Sequence, residues 1–114
     1  MNWLEAQSQC NAYGGHLVEI FSQEQQDFLV LNLLNNEQSQ GKRNWWIGLI
    51  KIGNNWVWPH SLTNASFTSW ADDYPYYGGL VGSLSWGDDY NWVDIDSEFT
   101  DAYPICQFFP SEYV

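Results

Sequence analysis

Trp45-Trp46-Ile47-Gly48-Leu49-Ile50 and Asn55-Trp56-Val57-Trp58, joined around Gly53-Asn54, decide the fold class of this chain. Both runs are aromatic and β-branched, and a Gly-Asn pair between two such runs marks a tight hairpin. Strand side chains alternate between faces, so Trp45 points away from Trp46 and toward solvent. Upstream the periodicity becomes helical. Asn2 caps a first helix with Glu5 at its third position, and Trp3, Ala6, Cys10 and Tyr13 recur at three- and four-residue spacing before Gly14-Gly15 ends it. Leu17-Val18-Glu19-Ile20 alternates as a short strand or extended connector. Ser22 with Gln25 makes a capping box for a second helix, whose apolar surface comes from Phe28, Leu29, Leu31, Leu33 and Leu34. Downstream, residues 59–91 are rich in turn formers and poor in periodicity, the mark of a long loop that carries function. Strand-like order returns at Asn91-Trp92-Val93-Asp94 and from Tyr103 to Phe109. Two helices followed by short strands around a long loop give an α+β class.

The whole of residues 1–114 reads as one domain, since 114 residues leave no room for a second. Fourteen acidic residues face three basic ones, a net charge of -11, which repels phosphate backbones and anionic lipid. Nucleic acid and membrane insertion are therefore excluded as partners, and no apolar run approaches the length of a bilayer span. A hydrophobic content of 45%, with eight Trp, supplies enough core to offset chain entropy.

Cys10 and Cys106 lie near opposite ends. They read either as the staple of an extracellular domain or as two separate buried thiols. A bond would close a loop worth about 4–5 kcal/mol in the chain-entropy model. The glycosylation sequon Asn64-Ala65-Ser66 favours the bonded, extracellular reading. The first 20 residues hold no Lys or Arg and no apolar leader core, so the chain reads as a mature domain, a truncated one, or one that is not secreted.

In order, these pieces resemble the C-type lectin-like domain from about Asn2 to Phe108. Trp3-x-x-Ala6-x-x-x-Cys10 with Gly14-Gly15-His16-Leu17 is similar to the family's first helix and its exit, and Ser22-Gln23-x-Gln25-x-x-Phe28 to the start of its second. Trp46-Ile47-Gly48-Leu49 resembles its central core strand, followed by Trp56-x-Trp58, Trp70, Trp92-x-Asp94 and Pro104-Ile105-Cys106. The resemblance implies an extracellular binding domain with Cys10 paired to Cys106. It also implies that Trp46, Trp58, Trp70 and Trp92 belong to the core. Three features depart from the family pattern. The opening strand is missing, which leaves the C-terminal strand with an open edge. The second disulfide has no cysteines, Ser97 standing where one is expected. The family's acid/amide-Pro-Asn/Asp triplet is replaced by Tyr74-Pro75-Tyr76.

Sugar-binding members hold a calcium ion through carboxylates and amides that also grip sugar hydroxyls. Calcium needs six to eight oxygen ligands, and phenols supply them poorly at neutral pH. Of the standard ligands only Asp94 carries over, the amide beside it having become Val93. The acids Asp72, Asp73, Asp88, Asp89, Asp94, Asp96, Glu98 and Asp101 define two alternatives: a displaced calcium site on Asp94, Asp72, Asp73 and Asp96, or a solvated acidic face. Tyr74, Tyr76, Tyr77, Trp86 and Tyr90 offer rings on which a pyranose can stack, or anchors for a protein partner.

Catalysis has no support. His16 and His60, the only histidines, sit in no nucleophile or metal motif, and carboxylate pairs such as Asp94 with Glu98 are commonplace. The expected function is carbohydrate recognition, with a glycan or a cell-surface or secreted glycoprotein as partner. The alternative is calcium-independent recognition of a protein.

Overall fold

The computed structural model describes residues 1–76, 78–108 and 112–113. Helix α1, Trp3–Ala12, starts where the sequence places it. Asn2 accepts from the Glu5 amide at 2.9 Å while the Glu5 carboxylate accepts from the Asn2 amide at 2.8 Å, a complete capping box. Helix α2, Gln23–Asn35, is capped by Ser22, which accepts from the Gln25 amide. Gln25 returns the bond one residue early, to the Phe21 amide at 2.9 Å. A single turn of helix, α3, Glu37–Gln40, leads toward the sheet.

Strand β1 is His16–Leu17, and β2, Asn44–Ile52, is the long central strand. Strand β2 turns at Gly53-Asn54 into β3, Asn55–Trp58, with Ile52 opposite Asn55. The remaining strands are β4 Thr63–Asn64, β5 Val81–Ser85, β6 Asn91–Ile95, β7 Ala102–Pro104, β8 Cys106–Phe108 and β9 Glu112–Tyr113. The larger sheet runs β4-β3-β2-β5-β6, with β7 pairing in parallel along the start of β2; β1, β8 and β9 form a second sheet. The β2–β5 register shifts between Trp46 and Ile50. Gly48 lies inside that shift and donates to Val18 O at 2.8 Å. A β carbon at residue 48 would stand 2.7 Å from Leu17 O, so the close crossing of β1 over β2 requires glycine.

Four expectations are corrected, that for Trp45 with the core below. Residues 59–91 are not loop throughout: β5 lies between β2 and β6 with all five residues buried. Its sequence, Val81-Gly82-Ser83-Leu84-Ser85, is covered on both faces and so shows no alternation; Gly82 packs against Leu49. The strand that ends at Phe108 does not lack a partner. Strand β8 sits between β1 and β9, which turns back onto it with Gln107 opposite Tyr113. The apolar surface expected on α2 is only partly buried. Gln26 and Leu29 are buried, Val30 and Leu33 half-buried, and Phe28, Leu31 and Leu34 about half exposed. A polar residue takes the innermost position because α2 docks by hydrogen bonding: Gln26 accepts from Trp92 Nε1 at 2.9 Å and donates to Tyr90 O at 3.0 Å.

The core is built on indoles. Trp46, Trp58 and Trp92 are fully buried and Trp70 is half-buried, bridged by its backbone to Trp92. Trp58 and Trp70 meet Trp92 edge-on at 5.5 and 5.7 Å between ring centroids. Trp45, expected at the surface, is half-buried and leans on Tyr103 at 6.2 Å. Cys10 and Cys106 are bonded, as the resemblance implied, and tie α1 to β8 within a second apolar cluster that includes Ala6, Leu17 and Trp46.

Candidate functional site

The segment after Trp70 is anchored to β6 by main-chain bonds. Trp92 donates to Ser69 O and Ala71 donates to Trp92 O, both at 2.8 Å. A turn follows in which Tyr74 donates to Ala71 O; Asp73 adopts a left-handed backbone that a short polar side chain tolerates. The Tyr74–Pro75 peptide is cis. Beyond it, Asp94 on β6 turns its carboxylate inward and is only 7% exposed. Its Oδ1 accepts the Tyr76 amide at 2.6 Å and its Oδ2 accepts the Gly79 amide at 3.1 Å. One carboxylate therefore holds both Tyr76 and Gly79 and satisfies amides that would otherwise need water.

That clasp decides the fit of a calcium ion. Asp94 gives both oxygens to main-chain donors. Asp96 is exposed and accepts the Glu98 amide within its own turn, while Asp72 and Asp73 are exposed on the 71–74 turn. Among the described residues no group of three or more His, Cys, Asp or Glu side chains could hold a metal ion. The displaced calcium site expected from Asp72, Asp73, Asp94 and Asp96 does not assemble there, because Asp94 faces inward and the other three lie in turns facing solvent. These residues do not fit a calcium ion, which needs six to eight converging oxygens.

The aromatic candidates separate into three environments. Tyr74 and Tyr76 stay together at the mouth of the clasp, their rings edge-to-face at 4.6 Å, Tyr74 half-buried and Tyr76 55% exposed. The Tyr74 phenol is held above its ordinary range, first by burial and then by the negative charge of Tyr76, Asp88 and Asp94. It is a protonated donor at neutral pH. Trp86, 49% exposed, begins the 3-10 turn Trp86–Asp88 and lines a different hollow with Val30 and Leu34. Tyr90 is a correction: it is 2% exposed and belongs to the core. Consecutive left-handed residues Asp89 and Tyr90 swing its ring inward, where its hydroxyl donates to Glu37 at 2.8 Å. Burial, then that bond and the charge of Glu37, push its pKa up to about 12. Tyr77 lies outside the described residues. Asn64 is exposed on β4, the outer strand of the large sheet.

Several contributors are not signalled by sequence pattern. Gly79 acts through one hydrogen bond to Asp94, and Gln26 through two, to Trp92 and Tyr90. Glu19, 1% exposed, accepts the amides of His60 and Ser61 at 2.8 and 3.2 Å. His16 and His60 stack at 3.6 Å with planes 9° apart, although their sequence neighbourhoods show no link. Among the described residues no helix is long and apolar enough to cross a membrane.

Comparison with known proteins agrees with this architecture. Mouse asialoglycoprotein receptor 1 is 30% identical over 109 residues, covering 80% of this chain and 36% of the receptor, so the chain spans about a third of that relative. Human lithostathine superposes with a TM-score of 0.75 at 25% identity, covering 88% of this chain and 79% of that one. The lectin domain of murine dendritic cell inhibitory receptor 2, solved in complex with an N-glycan, superposes at 0.73 with 28% identity, covering 89% and 78%. No enzymatic family is indicated. Residues 1–108 match the model of the lectin C-type domain, which leaves only the C-terminal end outside it, and the chain belongs to the C-type lectin domain family.

Proposed function

We propose that this domain recognises carbohydrate without calcium, in an extracellular setting, through the rim formed by Tyr74 and Tyr76. The observation that carries this reading is the Asp94 clasp: its carboxylate, a calcium ligand in the family pattern, is engaged instead by the amides of Tyr76 and Gly79. The rim then offers an exposed phenol ring for the apolar face of a pyranose and a protonated Tyr74 hydroxyl as donor. The glycan complex of the murine receptor supports the ligand class. The disulfide and the exposed Asn64 sequon support the compartment, with Asn64 carrying an N-glycan of its own. Recognition is by binding alone, with no catalytic step.

Glycan-array binding with and without chelator tests this. Binding that survives chelation and falls about tenfold or more in Tyr76→Ala is the expected result. Loss on chelation, or no glycan bound at any concentration, overturns it. Recognition of a protein is the second reading, favoured by one specific observation: the half-exposed apolar stripe on α2.

A further inference from the structure

Helix α2 carries Asp27, Val30, Leu31 and Leu34 on one stripe, three and four residues apart. Two adjoining hollows of about 360 and 320 Å³ run along it and share Val30, Leu34 and Asp89. Trp86 walls the first, and Gln23, Asp27 and Asn91 border the second. Leu31 is 57% and Leu34 51% exposed, so the floor is apolar and open beside a half-exposed indole. The rim is acidic. Asp27, Glu37 and Asp89 stand around it, and Lys42, near the Trp86 ring at 6.0 Å, is the one cation lining it among the described residues. The hydrogen bonds given to Asp27 and Glu37 come from neutral groups, the Gln23 amide and the Tyr90 hydroxyl, which leave both charges in place.

We propose that this groove binds a short cationic amphipathic helix of a partner protein. The stripe from Asp27 to Leu34 is about 10 Å long, roughly two turns of a facing helix, and Glu37 at the start of α3 stands beyond its end. Apolar anchors one turn apart on the partner fill the positions over Val30, Leu34 and Trp86, and Lys or Arg on its flanks meet Asp27, Asp89 and Glu37. A glycan is the poorer occupant here, because the open floor between the polar rims is aliphatic, Val30, Leu31 and Leu34, and leaves the hydroxyls lying over it without partners. A second copy is poorer still, because it brings the same acids and a charge of -11. The inference stands apart from the glycan reading, since it uses neither Tyr74 nor Tyr76.

The probe is a synthetic helical peptide of about 14 residues, long enough to span the stripe, with leucines on one face and lysines on the other. It is titrated calorimetrically into the full chain beside a scrambled peptide of equal composition. Leu34→Asn and Trp86→Ala are surface changes, checked for folding by thermal melts. The paired change Asp72→Asn with Asp73→Asn removes charge outside the groove. We expect the amphipathic peptide to bind about tenfold more tightly than the scramble, and each groove variant to weaken it about tenfold. The Asp72/Asp73 variant changes affinity less than about twofold, and amide shifts on peptide addition map to α2 and residues 86–91. Equal binding of the scramble, or equal loss in the Asp72/Asp73 variant, reduces the effect to diffuse charge attraction and overturns the proposal. So does a dimer of the protein alone that Leu34→Asn abolishes, or displacement of the peptide by a glycan the domain binds.

Discussion

Asp94 Oδ2 accepts the Gly79 amide at 3.1 Å, and a β carbon added to residue 79 would stand 2.7 Å from that same oxygen. It would also stand 2.5 Å from the Ile95 nitrogen, which is backbone and cannot turn aside. The loop and the strand are thus fitted to each other through the absence of a side chain. Gly79→Ala should lower stability by about 1–3 kcal/mol in urea unfolding, the usual cost of overpacking. Asp94→Ala removes the acceptor instead and should cost about 1–3 kcal/mol per amide left buried and unpaired. Hydrogen exchange should accelerate at the Tyr76 and Gly79 amides in both variants, and added calcium should restore neither.

Gln26 joins α2 to the sheet by serving Trp92 and Tyr90 at once. Gln26→Leu keeps the bulk but leaves the indole N–H and the Tyr90 carbonyl unpaired in the core. A loss of about 2–4 kcal/mol is expected, larger than the gain from one added apolar side chain. Gln26→Glu still accepts from Trp92, yet it loses the donor and buries a charge, so it should be no milder. Denaturant midpoints of the two variants check this ordering.

The length of what could be read from the sequence follows from physics. Trp46-Ile47-Gly48-Leu49, both helix starts and the Gly53-Asn54 turn were legible because each is local: a cap, a period or a turn residue states its own conformation. Strand β5 was not legible. Gly82, Ser83 and Ser85 lack the alternation of a half-exposed strand, and only their neighbours β2 and β6 make them a strand. At the site, the edge-to-face pairing of Tyr74 with Tyr76 is not legible, since the sequence shows them only as the two residues flanking Pro75. Nor is the inward turn of Asp94, because an aspartate looks the same in sequence whether it faces a cation or two amides. The burial of Tyr90 is hidden for a related reason: two left-handed residues reverse the direction of its side chain, and Asp89-Tyr90 carries no glycine to signal them.

Alkaline pH offers a test of Tyr90. An unfolded tyrosine ionises near its ordinary value of 10.0, whereas folded Tyr90 keeps its proton to about 12. Below the unfolded value both states are protonated and the contribution to stability is fully present. As pH rises toward about 12 the unfolded chain releases a proton that the folded chain retains, so stability falls through that window, by about 2–3 kcal/mol. Tyr74, also raised, acts in the same direction. Urea midpoints should drop more steeply over this range in the parent than in Tyr90→Phe.

The staple makes a mass prediction. Alkylation under denaturing, non-reducing conditions should add nothing to the chain, and two adducts should appear only after reduction. Cys106→Ser should cost about 2–5 kcal/mol, the usual loss when a native disulfide is removed. Paired thiols in the intact protein would show one adduct each before reduction if the bond were absent.

The same bond has a bearing on how this domain is damaged. Cys10 and Cys106 are 96 residues apart, so a single proteolytic cut anywhere between them leaves both halves covalently joined. The solvent-facing turns at residues 59–62 and 71–76 lie inside that interval. A molecule nicked there keeps its mass to within one water and keeps its indole core held in register by the sheets on either side. It would pass as intact on a non-reducing gel and separate into two fragments only on reduction. Copies can therefore accumulate breaks in these turns without shedding any part of the fold.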